Sequence, residues 1–74
     1  GIDMTQRERV LRHLKHYGSI TQLEAMREYG IMRLGARIYD LRRDGYVIIK
    51  TTETTRNRYG EACSYARYRL EETA

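Results

Sequence analysis

The stretch TQLEAMREYGIMRLGARIYDLRRDGY, residues 21–46, determines how this chain is expected to fold. Thr21 stands three residues before a glutamate, which is the spacing of a capping box at the start of a helix. A helix is therefore predicted over Gln22–Tyr29, and Gly30 ends it, since glycine suits the left-handed conformation that follows many helices. A further helix is predicted over about residues 32–44, so the stretch forms two short helices joined by a tight turn.

The later helix of this pair separates into an apolar stripe and an arginine-bearing surface. Leu34, Ile38 and Leu41 lie within about 60° of one another on a helical wheel, so this stripe is predicted to face the core. The residues predicted to face a ligand are Met32, Arg33, Ala36, Arg37, Tyr39, Asp40 and Arg43. Many small proteins use such a helix to place side chains in the major groove of DNA.

The chain before this pair follows the same local rules. A first helix is predicted over Gln6–Tyr17, because Thr5 and Glu8 repeat the capping-box spacing and Gly18 follows as a stop. A short extended link, Ser19–Ile20, leads into the middle helix. The apolar residues expected to point inward are Val10, Leu11, Leu14 and Tyr17 in the first helix and Leu23 and Met26 in the middle helix.

The chain after residue 45 is predicted to form a β-hairpin. Tyr46–Thr55 is rich in β-branched residues and Cys63–Leu70 alternates between apolar and polar residues, so both segments favour strands. Between them, Arg56–Ala62 contains asparagine and glycine and is typical of a turn. Residues 71–74 are expected to form a frayed tail, and residues 1–3 to be a vector-derived remnant ahead of a natural start at Met4.

Composition bounds the class of protein. With 74 residues the chain forms one domain, and no apolar run approaches the length of a membrane span. Its single cysteine, Cys63, excludes an internal disulfide and a multi-cysteine zinc site, so we expect a reducing, cytoplasmic setting. The formal net charge is +4, and twelve of the fourteen cations are arginine, which suits bidentate contacts to phosphate and guanine.

Catalysis is not expected, and neither is a metal or another cofactor. His13 and His16 lie three residues apart in the first helix, but two histidines without further ligands make a weak metal site. Both are therefore expected to be ordinary surface histidines. The sequence has no glycine-rich phosphate loop and no pattern typical of a catalytic triad.

Three helices followed by a basic hairpin resemble the small winged helix-turn-helix domains that are common in bacteriophages and prophages. The matching stretches are MTQRERVLRHL (residues 4–14), ITQLEAMREYGIMRLGARIYDLRRDGY (20–46), NRYG (57–60) and YARYRL (65–70). The resemblance covers residues 4–70 and implies an α+β fold, in which three helices precede a two-stranded antiparallel wing. It also implies DNA binding in a regulatory or mobile-element setting, as a repressor, an excision factor or part of a replication protein.

Double-stranded DNA is thus the expected partner, with three contact regions. Arginines of the third helix can pair with guanine O6 and N7, and Ala36 can contact a thymine methyl group. The start of the middle helix, at Thr21 and Gln22, can receive a phosphate. The wing residues expected to contact DNA are Arg56, Asn57, Arg58 and Tyr59. Because one small module covers little DNA, specificity is expected to require a homodimer, tandem cooperative copies or fusion to a larger protein.

Other interpretations of the same residues remain open. The arginines of the third helix form an ordinary solvated face if Asp40 and Asp44 simply balance them. A winged helix can also bind a protein through its hairpin or its third helix, without contacting DNA. A third alternative is recognition of left-handed duplex or RNA, because Tyr39 occupies an exposed position of the wheel.

Overall fold

The computed structural model describes residues 5–71. The elements, in chain order, are α1 (Gln6–Tyr17), β1 (Ser19–Thr21), α2 (Gln22–Tyr29), α3 (Leu34–Arg43), β2 (Val47–Arg56) and β3 (Ala62–Glu71). The architecture is α+β, as expected, with three helices packed on an antiparallel sheet. The suggested remnant at residues 1–3, the start at Met4 and the tail residues 72–74 lie outside the described residues.

The first two helices begin and end where their caps predict. The Thr5 hydroxyl accepts a hydrogen bond from the Glu8 N–H at the start of α1. At the start of α2, Thr21 and Glu24 form a reciprocal capping box. Gly30 ends α2 with φ at +68°, a left-handed conformation that costs glycine little. Local hydrogen bonds therefore fix both helices.

The sheet has three strands where two were expected, in the order β1-β3-β2. The predicted link Ser19–Ile20 belongs to a strand, β1, which also includes Thr21 and whose Ile20 lies opposite Tyr68 in β3. β3 also extends through Glu71, which pairs with Val47, so Glu71 belongs to the hairpin and not to the expected tail. The start of α2 is consequently attached to the root of the hairpin.

The core lies between the helices and the inner face of the sheet. Its buried apolar residues are Val10, Leu14, Ile20, Ala25, Ile31, Leu34, Ile38, Leu41 and Ile48. The predicted inward stripe of α3 is confirmed, since Leu34, Ile38 and Leu41 are each 1% exposed. The guanidinium of Arg42 lies beside this stripe, and its Nε and Nη2 donate to the Ile48 carbonyl at 3.2 and 2.8 Å.

Three expectations about side-chain direction were wrong. Leu23 and Met26 are exposed, because α2 turns the small Ala25 toward the core instead. Tyr17 is also exposed and does not extend the stripe of α1. His13 is buried, where its Nδ1 lies 2.7 Å from the Tyr29 hydroxyl. A hydrogen bond of this kind allows a polar ring to be buried at low cost.

No helix among residues 5–71 combines the length and the apolar character that crossing a membrane requires.

Candidate nucleic-acid interface

The start of α3 differs from the prediction and shapes the candidate interface. The helix begins at Leu34, two residues later than expected, so Met32 and Arg33 belong to the turn before it. Arg33 is the N-cap residue, yet its side chain makes no capping hydrogen bond. Both side chains are exposed, and Met32 is 70% exposed. These two residues therefore project ahead of the helix rather than from its first turn.

Gln22 supplies the missing cap from the neighbouring helix. Its Oε1 accepts a hydrogen bond from the Leu34 N–H at 2.8 Å, and its Nε2 donates to the Ile31 carbonyl at 2.7 Å. The side-chain amide of Gln22, the first residue of α2, thus binds the residues that begin and end the turn before α3, Ile31 and Leu34. Gln22 was expected to contact DNA, but the structure uses its amide to fix the start of α3.

Replacing Gln22 with alanine should lower the free energy of unfolding by about 1–3 kcal/mol, because two backbone groups are left without their partner. Gln22→Glu is the matched control, since a carboxylate can accept from Leu34 but cannot donate to Ile31. We expect the free energy of unfolding of Gln22→Glu, measured with urea at neutral pH, to lie between those of wild type and Gln22→Ala. Wild-type stability of Gln22→Ala would show that the bridge does not hold the turn.

The outer surface of α3 carries most of the remaining candidate residues. Tyr39 is 62% exposed, and the Arg43 guanidinium lies 5.9 Å from the centre of its ring. Arg37 is half-buried, and its Nε lies 3.3 Å from Asp40 Oδ2. That distance makes an ion pair, but the Nε has no hydrogen-bond partner among the described residues. Ala36 lies half-buried next to this pair in sequence.

Thr21 is buried, so its side chain is not available to contact DNA at the surface. It is 5% exposed, and its hydroxyl and backbone N–H are both engaged with Glu24. A phosphate at this end of α2 would therefore meet backbone N–H groups of the first turn, which have no partner within a helix. The threonine itself serves as strand residue and helix cap.

Of the four candidate residues at the wing tip, two form hydrogen bonds within the turn and two project outward. Asn57 Oδ1 accepts from the N–H groups of Tyr59 and Glu61 at 2.9 and 3.0 Å. Arg56 Nη1 donates to the Gly60 carbonyl at 2.7 Å. Arg58 is exposed, and Tyr59 is 80% exposed. Asn57 therefore shapes the tip, while Arg58 and Tyr59 are presented to a partner.

The geometry thus combines a helix pair with a fixed turn, an exposed arginine-bearing helix and a projecting hairpin. The family model described as a winged helix-turn-helix domain matches residues 5–73. The chain belongs to this family. No curated protein and no solved structure gives a significant match. Winged helix-turn-helix domains are in general DNA-binding modules rather than enzymes, so membership indicates DNA binding and a DNA partner.

The wing of this winged helix-turn-helix domain is tied to α2 through Arg67. Its Nε donates to Glu53 Oε1 at 2.8 Å, and its Nη1 lies 3.0 Å from Ser19 Oγ and 3.7 Å from Glu24 Oε1. The hydrogen bond from Arg67 lowers the pKa of Glu53 below its ordinary value. Since Glu24 also caps α2, one guanidinium connects both wing strands to the start of that helix.

Sequence reasoning missed an apolar surface between α2 and the wing. Leu23 and Tyr65 line a cleft of about 410 Å³ together with Thr55. Leu23 is 57% exposed, so it projects toward the same side as the wing rather than into the core. The sequence gives little signal for it, because the small Ala25 marks the buried face of α2 only weakly beside Leu23 and Met26.

The remaining chemistry-bearing groups do not assemble into a metal centre. Within residues 5–71, no three His, Cys, Asp or Glu side chains lie close enough together to hold a metal ion. Cys63 is exposed on β3. His13 and His16 both contact Tyr17 through their rings, with centroids 4.5 and 4.4 Å away.

Proposed function

We propose that this winged helix-turn-helix domain binds duplex DNA sequence-specifically, with α3 in the major groove. The observation that carries the proposal is the two-sided character of α3. Leu34, Ile38 and Leu41 anchor one side in the core, while Tyr39 and Arg43 are exposed and Arg37 is half-buried away from it. The Gln22 bridge fixes the start of this helix, so Arg33 and Arg37 are held in place rather than on a mobile loop.

Two arginines are suited to reading bases. Arg33 is exposed just ahead of α3, and the N-terminal end of a recognition helix is the part that reaches base edges. Arg37 follows one turn later; its buried Nε lies against Asp40, so only the terminal nitrogens of its half-buried guanidinium can reach a base edge. Asp40 holds that guanidinium at one edge, and Ala36 leaves room for a thymine methyl group.

The wing and α2 are proposed to hold the DNA backbone. Arg58 and Tyr59 project from a turn that Asn57 stabilises, so they can contact phosphate or the adjacent minor groove. The first turn of α2 offers backbone N–H groups to another phosphate. The contacts of Arg67 with Glu24 and Glu53 connect α2 to the wing, which would keep the distance between these two phosphate contacts constant on the duplex.

A regulatory role on a mobile element, in the cytoplasm of a bacterial or phage-infected cell, is the setting we propose. It rests on the sequence resemblance to phage and prophage domains, which include repressors, excision factors and parts of replication proteins. A single module buries roughly 600–1,000 Å² on DNA. Two copies, as a homodimer or as tandem copies along the duplex, or a larger fusion would supply the additional contacts that specificity needs.

Selection from random duplexes, read by sequencing, tests sequence specificity directly. We expect a recurring motif of a few base pairs, because α3 and the turn before it are short and reach few base edges of the major groove. The affinity for the selected site should also fall as salt rises, since phosphate contacts release counterions. Recovery of no motif, with salt-sensitive binding retained, would contradict sequence-specific recognition but not DNA binding.

Replacing Arg56 and Arg58 together with alanine should weaken binding to all duplexes alike. The plot of log affinity against log salt should become shallower by about one unit for each phosphate that the variant no longer neutralises. Arg7→Ala is the control, because it removes a cation of α1 whose surface pair with Asp44 contributes little to stability. If the double variant is folded and its salt slope is unchanged, these wing arginines do not contact phosphate.

A further inference from the structure

Met32 presents an apolar side chain next to the arginine that precedes α3. It is 70% exposed, more than any other large non-aromatic apolar side chain among residues 5–71. Apolar groups gain no free energy from contact with water, but they do gain it when another apolar group covers them. A methionine exposed at this place is therefore suited to an apolar contact that forms only when a ligand is bound.

The turn that carries Met32 is fixed on both sides. Ile31, just before it, is fully buried, and Leu34, two residues later, is 1% exposed. The amide of Gln22 bonds to the Ile31 carbonyl and to the Leu34 N–H. The Ile31 N–H also donates to the Ala25 carbonyl at 3.1 Å. The backbone at Met32 is thus held between two anchors, so mainly the side chain loses freedom when it meets a ligand.

The chemistry of the major groove supplies a matching group. The apolar group that the bases present there is the C5-methyl of thymine, and the rest of the pattern consists of hydrogen-bond donors and acceptors. Met32 and Arg33 lie just ahead of α3, at the end of the helix proposed to reach base edges. A thioether is only a weak acceptor and donates nothing, so it suits neither phosphate nor a polar base edge. Thymine is therefore the base that the Met32 side chain fits.

We propose that Met32 is a specificity-determining residue that packs on the C5-methyl group of a thymine. The inference rests on the proposed function, because it requires α3 to lie in the major groove. Met32 and Arg33 are consecutive, so their Cα atoms lie about 3.8 Å apart, close to the DNA rise of about 3.4 Å per base pair. The thymine should therefore lie within about two base pairs of the base that Arg33 reads.

Ala36, the other residue proposed to meet a thymine methyl group, is placed differently. It is half-buried within α3, and its side chain is a single methyl group next in sequence to Arg37. Met32 lies ahead of the helix, and its longer, unbranched side chain can adapt its shape to a ligand. The two residues therefore predict two thymine contacts that substitutions at Met32 can separate.

The test removes one methyl group at a time from the DNA. Each thymine of the selected site is replaced in turn with uracil, which keeps the base pair and lacks only the C5-methyl group. Fluorescence anisotropy at one salt concentration measures the affinity of the full chain for each duplex. Met32→Gln keeps the length of the side chain but makes it polar, whereas Met32→Leu keeps it apolar. Met26→Gln is the control, because Met26 is an exposed methionine of α2 outside the proposed interface.

We expect uracil at one thymine to weaken wild-type binding by about three- to fivefold, the effect of burying one methyl-sized group. This thymine should lie within about two base pairs of the position whose preference Arg33→Ala relaxes. Met32→Gln should weaken binding to the thymine duplex by at least the same factor and lose nothing more with uracil there, because the contact is already absent. Met32→Leu should keep most of the uracil penalty, and Met26→Gln should keep all of it. Circular dichroism confirms that each variant is folded.

The outcomes separate this inference from the function on which it rests. Absence of duplex binding contradicts both. Sequence-specific binding with no uracil penalty at any thymine overturns the role of Met32 alone, and so does a penalty that Met32→Gln retains in full at every thymine. A selected site with no thymine near the position that Arg33 reads has the same meaning. In each of these cases Met32 is an ordinary exposed methionine.

Discussion

Replacing Ile38 with alanine is expected to lower the free energy of unfolding by about 2–5 kcal/mol. Ile38 is 1% exposed and lies at the centre of the α3 stripe, between Leu34 and Leu41. Truncating it removes buried apolar surface and leaves a cavity that rigid neighbours fill only in part. A domain of this size has a total stability near the lower end of about 5–15 kcal/mol. The variant should therefore be largely unfolded at 37 °C.

Two further variants show whether the loss of stability comes from the cavity at Ile38 or from any substitution in α3. Ile38→Val removes a single methyl group and should cost about 0.5–1.5 kcal/mol. Arg43→Ala should change stability by no more than about 0.5 kcal/mol, because the side chain is exposed and contacts Tyr39 only across 5.9 Å. Thermal and urea unfolding measure the stability of the three variants and rank them. A more damaging effect of Arg43→Ala than of Ile38→Ala would mean that α3 is rotated about its axis.

Replacing Arg33 or Arg37 with alanine should weaken binding to the selected DNA site by about 1–3 kcal/mol and relax the preference at one base position. The reason is geometric, because both arginines lie at the start of the helix proposed to enter the groove. Binding to random duplexes should fall much less, since base contacts contribute only at the correct sequence. Affinities for selected and random duplexes, measured at one salt concentration, give the comparison.

Arg37→Lys sharpens this test, because lysine keeps the positive charge but lacks the planar fork that pairs with guanine. A base-reading Arg37 should therefore lose specificity on either substitution, whereas a phosphate-holding one should tolerate lysine. Arg27→Ala is the control for removal of a charge, since Arg27 lies in the last turn of α2, outside the proposed interface. Equal losses on selected and random duplexes would show that Arg33 and Arg37 only hold the backbone.

Elements that depend on neighbouring residues could be predicted from the sequence. The bounds of α1 and α2 follow from threonine caps and terminal glycines, which act within one helical turn. The inward stripe of α3 followed from apolar spacing. The hairpin was predicted within a residue of its observed ends, apart from the extra pairing of Glu71.

Features that depend on distant residues could not be predicted in this way. The start of α3 is set by Gln22, twelve residues before Leu34, so no local cap marks it. β1 is a strand only because β3 returns to pair with it some fifty positions later. The buried face of α2 is marked by Ala25, whose small side chain gives a weak apolar signal beside Leu23 and Met26. Long-range packing decided each of these outcomes.

The candidate site divides in the same way. Exposure of Tyr39 and Arg43 follows from the wheel of α3, because these positions lie away from the apolar stripe, whereas Arg33 lies in the turn before the helix. The structural duties of Gln22 and Asn57 depend on backbone groups brought near by the turns. Polar residue type alone cannot distinguish a side chain that contacts a ligand from one that completes a turn.

The contact between Arg42 and the Ile48 carbonyl affects how molecules of this protein behave toward one another. β2 is an edge strand of ten residues, and an open edge is a template for pairing with a strand of another molecule. Arg42 occupies an acceptor near the root of this edge, and the exposed charges of Lys50 and Arg56 lie farther along it. The helix proposed to bind DNA thereby also covers one backbone acceptor of this edge, which leaves fewer open groups for a strand of another molecule to pair with.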